Sequence, residues 1–195
     1  MRPITGIVGV VLSAGVACGG DTFTWTGDGG NDLWVNPQNW SDSNGNTGVP
    51  GAGDRAVIDG DNETAVINNT NSITVDTIEI SNDSAKILIQ ADGTNNGKLT
   101  LTNHDCGLVP VCADYNSILD GVIELEDKAT LAFTTRSHTI SGTGAILSPV
   151  DNTSLPGDGG QITIASGIFF KNGKTGAHTT IRGALTIGGG GRFHQ

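Results

Sequence analysis

The chain has 195 residues, 20 acidic against 10 basic side chains, a net charge of −10, and 30 glycines. No basic stripe is present to meet phosphate, which excludes a nucleic-acid binder, and the same shortage of positive charge argues against an anionic membrane surface. The supply of Thr, Ile, Val, Asn, Asp and Gly suits strands and tight turns, not long helices.

Taken in chain order, residues 1–17 read as a signal peptide. Met1-Arg2 gives a small positive start, and Ile4 to Val16 is uncharged and apolar or small. Gly15-Val16-Ala17 puts small residues where a signal peptidase reads. The segment is too short to span a membrane as a mature helix, and no other stretch is apolar enough to cross one. The mature chain is therefore expected to be exported, to the extracellular space or the cell surface, with no membrane span. A buried N-terminal strand is the alternative for the same residues. Cys18 follows the predicted cleavage point and is a candidate lipidation site. Lipoproteins want a Leu-like residue three positions earlier, however, and Gly15 stands there.

Residues 18–55 form a distinct segment that holds Trp25, Trp34 and Trp40. One strand is predicted, Thr22–Thr26, followed by a turn-rich stretch. A stack of repeats leaves its first unit open and needs an atypical cap, and three indoles can cover such an end. The same rings could instead stack on sugars.

Gly27-Asp28-Gly29-Gly30-Asn31-Asp32 matches most of a calcium-binding nonapeptide, with Asp28 in place of the second glycine. Asp28 and Asp32 are thus candidate calcium ligands, as are Asp59 and Asp61 in the acidic run 59–63. Calcium takes six to eight oxygen ligands. Solvated turns, capped by their own Asp side chains, are the favoured reading of both segments. No other cofactor is expected.

From residue 56 to 195 short apolar runs arrive every nine to twelve residues, each stopping at Gly, Asn or Asp. Examples are 73–80, 85–90, 97–102 and 121–126, with strands expected to close at Ile80, Ile89 and Leu101. Further strands are expected at 122–125, 130–134, 139–141, 144–147, 161–164, 167–170, 178–181 and 184–187. Two or three strands would make one coil of roughly 20–30 residues, within the usual range for repeat architectures. Cys106 and Cys112 are six apart around Gly107 and Pro110, so a local disulfide is sterically easy. That segment and 149–160 read as projecting loops. The repeats run on without a closing cap, which predicts either further repeats or self-association at the C-terminal end.

The predicted fold is all-β: a parallel β-solenoid with a Trp-rich N-terminal cap. A jelly roll or other sandwich also spaces short strands this way. Consecutive apolar residues in Lys86-Ile87-Leu88-Ile89, turn formers at similar offsets, and modular Gly-rich units such as 140–147 and 183–191 favour the solenoid.

Those Gly-rich units resemble the passenger repeats of bacterial autotransporters and related exported surface β-helix proteins. The set Trp25-Thr26-Gly27, Leu33-Trp34, Asn39-Trp40, Val49-Pro50 and Asp54 to Ile58 is similar to the start of large proteins of that group. The resemblance implies a right-handed parallel β-helix outside the cell, with a structural or adhesive role. It carries over no catalytic residue, and the outer-membrane barrel of a true autotransporter is absent from these residues.

The expected function is a non-catalytic, secreted or cell-surface structural or adhesive module, with fibre formation and contact with surface polysaccharide as its candidate interactions. The alternative is a polysaccharide lyase or glycan-binding module on the same fold. Glu124 and Glu126 share one face of a strand, as an acid pair would need, but neighbours two apart are more often a solvent face. His104, His138, His178 and His194 show no metal-ligand spacing and are expected on the surface or in loops.

Overall fold

A four-residue strand that points two side chains inward and two outward is the repeated element of this molecule. The computed structural model describes residues 20–92, 94–103, 117–135, 138–148, 159–165, 169–172, 180–183, 186–189 and 192–194. The predicted signal peptide, Cys18, and the Cys106 and Cys112 pair lie outside these residues.

The strands begin with β1 (Thr22–Trp25), β2 (Trp40–Asp42), β3 (Arg55–Ile58), β4 (Thr64–Ile67), β5 (Ser72–Val75) and β6 (Thr77–Ile80). They continue with β7 (Lys86–Ile89), β8 (Lys98–Leu101), β9 (Ser117–Leu119), β10 (Val122–Leu125), β11 (Thr130–Phe133) and β12 (His138–Ser141). The last are β13 (Ala145–Ser148), β14 (Gln161–Ile164), β15 (Phe169–Asn172), β16 (Thr180–Gly183), β17 (Thr186–Gly189) and β18 (Arg192–His194).

They form three open sheets. The first has eight strands, in the order β18-β15-β12-β9-β6-β3-β1-β2; the second is β16-β13-β10-β7-β4; the third is β17-β14-β11-β8-β5. Among the described strand pairs only β1–β2 is antiparallel, and isolated antiparallel bridges join Ser41 to Thr47 and Ala91 to Asn96. From β3 to β15 each strand pairs in parallel with the third strand after it, so each successive trio gives one strand to each sheet. Arg55 pairs with Thr77, 22 residues on, and Val122 with Ala145, 23 on. Where a loop is inserted the step lengthens: Lys86 pairs with Val122, 36 residues on.

Alternation decides which residues form the core. Six strands, β3, β4, β7, β8, β10 and β13, show the burial pattern half-buried, buried, half-buried, buried. Parallel register then stacks like on like. Ala65, Ile87, Ile123 and Ile146 form one inward column, and Ile73, Leu99, Leu131 and Ile162 another. Each buried Ile or Leu in these columns contributes about 1.5–3 kcal/mol. The two ion pairs between neighbouring strands, Arg55–Glu79 and Lys86–Glu124, are partly exposed and worth at most about 1 kcal/mol each. The columns, not the charges, hold the units together. Ile187 of β17 pairs with Ile162 at the end of the second column, yet is 42% exposed.

Two of the described corners between sheets are tight. The run 73–80, expected as one strand, is two strands in different sheets with Asp76 alone between them. The buried positions Ile73, Val75, Ile78 and Ile80 change phase at that corner. The corner after β12 is built from glycine. Gly142 has φ +125°, and a Cβ on Gly144 would sit 2.0 Å from the Gly121 carbonyl oxygen. Stacked corners leave no room for a side chain there.

Strand ends at Ile80, Ile89 and Leu101 agree with expectation, as do β10 and β14. The three-residue strands β2, β9 and β18 are additions. Among the described residues no helix is long and apolar enough to cross a membrane.

Candidate functional site: the tryptophan cap and the stacked corners

The segment before β3 is the least periodic part of the chain. Antiparallel pairing of β1 with β2 sets Trp25 opposite Trp40. Their rings meet edge to face, with centroids 4.9 Å apart, and Trp34 lies 4.6 Å from Trp40. The Trp40 indole N–H donates to the Trp34 carbonyl at 2.7 Å, and that of Trp25 to Glu63 Oε2 at 2.7 Å. Trp34 Nε1 is buried with no hydrogen-bond partner among the described residues.

Polar side chains fix the loop that carries these rings. Asn39 is fully buried. Its amide donates to the Asn31 and Leu33 carbonyls at 2.7 and 2.9 Å, and its Oδ1 accepts from the Gly29 N–H at 2.7 Å. Asn36 caps a single 3-10 turn, Pro37–Asn39, by accepting from the Gln38 N–H, and donates to the Gly29 carbonyl. Asp54 accepts from the Asp21 and Gly51 N–H groups at 2.9 and 2.8 Å.

The loop also covers strand edges. β2 lies along the outer edge of the first sheet. Leu33 bridges in parallel to Val66; the Trp34 N–H donates to the Val66 carbonyl, and the Val66 N–H to the Asp32 carbonyl, at 2.8 and 2.7 Å. An unpaired strand edge invites pairing with another chain, and these contacts close two of the three sheets at this end.

The burial corrects one expectation. Trp25, Trp34 and Trp40 are 3%, 0% and 0% exposed, so no indole face is open for a sugar to stack on. The rings form the lid of the core.

The candidate calcium ligands fall in two places. Asp28 and Asp32 lie in the cap loop, and Asp59 and Asp61 on the corner between β3 and β4. Asp61 Oδ1 accepts from the Asn82 amide at 2.6 Å, which also reaches the Asp59 carbonyl at 3.4 Å. Asn82 in turn accepts from Ser84. Among the described residues no group of three or more His, Cys, Asp or Glu side chains gathers to hold a metal.

The same use of polar side chains recurs at other turns. Asp42 accepts from the Asn44 and Asn46 N–H groups and the Asn46 amide, and Asp92 from the Thr94 and Asn95 N–H groups. Hydrogen bonds to Asn46 hold the Asp42 carboxyl below the usual carboxylate range, and those to Asn95 and Thr94 do the same for Asp92. Both are solvent-exposed turns.

Glu124 and Glu126 do not form an acid pair. Glu124 Oε2 takes the Lys86 ammonium at 3.1 Å, whereas Glu126, beyond the end of β10, accepts from the Ala91 N–H at 2.9 Å. His138 is a second correction: expected at the surface, it is 3% exposed and faces inward with Ile140. Alternation with Ile140 was the available signal. Glu63, read as part of an acidic turn, proves to be the acceptor for Trp25.

A scan against protein-family models finds no match to this chain, and searches of curated proteins and of solved structures return none.

Proposed function

We propose that the chain is a secreted or cell-surface structural module with a scaffold or adhesive role, wound as a right-handed parallel β-helix and closed at its N-terminal end by residues 18–55. The observation that carries this reading is the parallel pairing of every third strand over stacked, mostly aliphatic columns. A chain paired in this way gains stiffness from ladders on three sides, and its loops are presented from fixed corners. Residues 1–17 would direct export, and Cys106 and Cys112 would then pair in an oxidising compartment.

The non-catalytic part of the reading rests on how the acidic groups are used. Glu63, Glu124 and Glu126 each serve a structural partner, and the indoles are buried. The exposed Ile187 in an inward column supports coverage of that end by further coils or by a second copy.

The test is to express the chain with its signal intact and assay the exported product. The expected result is a mature N-terminus at Cys18, adhesion to cells or polysaccharide-coated surfaces, and no depolymerisation of a panel of neutral and uronate polysaccharides. Turnover of any of those polymers would replace this reading with the enzymatic one. Retention inside the cell with residues 1–17 attached would remove the surface role.

A further inference from the structure

His138 opens β12 at the corner where the chain passes from the third sheet to the first. Its Nε2 lies 3.1 Å from the Thr134 carbonyl, and its ring stands edge-on to Phe133 with centroids 5.1 Å apart. A carbonyl only accepts, so Nε2 carries the proton in the neutral ring. The turn before it holds Thr135 at φ +69°, a left-handed conformation that a β-branched residue seldom adopts. A buried imidazole thus sits against a strained corner.

Among the described residues the charged surroundings are sparse. Asp76, itself 9% exposed, favours the protonated ring; its Oδ1 accepts from the Thr102 hydroxyl at 2.9 Å. In its own sheet β12 is flanked by β9, which has no ionisable residue, and by β15, whose Lys171 is in register with Thr139. β11 has none, and in β8 Lys98 is half-buried while the Leu101 backbone acts on the ring. Burial is the largest influence and holds the imidazole below its ordinary value of 6.5, against the Thr134 carbonyl, the Asp76 charge and the Leu101 carbonyl, which all favour the charged ring.

We propose that His138 is an acid-sensitive latch: protonation of its ring frees β12 from the inward face and opens the strands from β12 onward, while the cap and the units before it stay folded. Above pH 6.5 the ring is neutral in both folded and unfolded chains, and its full contribution is present. As pH falls below that value the unfolded chain takes up a proton that the buried ring resists. Stability is then lost until the pH passes the lower, folded-state pKa. Units in a repeat stack contact only their neighbours, so opening can stop at this corner.

Hydrogen exchange on the whole chain tests this, with wild type and His138→Gln compared between about pH 7.5 and about pH 5.5 after correction for intrinsic rates. Gln retains a donor for the Thr134 carbonyl and cannot be charged. In the wild type, protection over 138–148 and 161–164 should fall about tenfold for each pH unit below 6.5, while 55–89 holds. His138→Gln should flatten that dependence. An equal fall in both proteins, or a fall shared evenly with 55–89, overturns the latch. Should the variant not fold, an NMR titration of His138 in the wild type decides: a midpoint below 6.5 supports the latch, and one at or above 6.5 ends it.

Discussion

The cap and the strand trios that follow it are stabilised in different ways. The cap, up to Asp54, is held by side chains that occur once: three indoles, the buried Asn39, the Asp54 carboxylate and Glu63 beneath Trp25. The trios are held by backbone ladders and by interchangeable Ile, Leu, Val and Ala in columns. A unique polar network tolerates little substitution, because each missing partner leaves a buried group unsatisfied. A column of aliphatic residues tolerates exchange of similar volumes. Specificity is therefore concentrated at the first end of the molecule, and rigidity is spread along the rest.

Substitutions can break that contrast. The largest effect is expected for Trp40→Ala, which empties the centre of the lid and removes the donor to the Trp34 carbonyl. A loss of about 3–5 kcal/mol in urea unfolding is predicted, spread over the whole chain. A loss below about 1 kcal/mol would show that the indoles do not close the core. Ile146→Ala, by contrast, should cost about 2–5 kcal/mol but act mainly on strands from β12 onward, as read by exchange.

Asn39→Ala comes next. It leaves the Gly29 N–H and two carbonyls without their partner, and a loss of about 2–3 kcal/mol is expected by thermal unfolding. A similar value for Gly144→Ala would have a different cause, the clash of its Cβ with the Gly121 carbonyl. The two are told apart by exchange, which should weaken the cap in the first variant and the β12–β13 corner in the second.

The smallest effect is the sharpest test of the cap's polar accounting. Trp34 Nε1 has no acceptor among the described residues, so Trp34→Phe removes an unsatisfied donor while keeping most of the ring. Stability should stay within about 1 kcal/mol of wild type. A loss as large as that of Trp40→Ala would mean the indole N–H has a partner in solution.

Much of this division can be read from residue order. The run of β-branched residues closing at Ile80, Ile89 and Leu101 marks β6, β7 and β8, because alternation places those residues inward. The corner at Asp76 is harder to see. It carries no Gly or Pro, and only the phase change between Val75 and Ile78 betrays it. β9 is hidden for a related reason: Ser117 occupies an inward position, and its hydroxyl accepts from the Ile78 N–H, so polarity masks a buried strand. β2 pairs locally only through the Ser41–Thr47 bridge, and its main partner is β1, which no local pattern names. The cap's role follows from three tryptophans placed ahead of the repeats. Its wiring through Asn39 and Glu63 depends on contacts between residues up to 38 apart in sequence.

The central claim is that strands pair in parallel with every third strand, not antiparallel with the next one along. Backbone NOEs around Ile87 test it most directly. Parallel pairing predicts contacts from Ile87 to the backbone near both Ala65 and Ile123. Close Hα–Hα contacts between β6 and β7, or between β7 and β8, would instead place consecutive strands side by side in a sandwich and contradict the account.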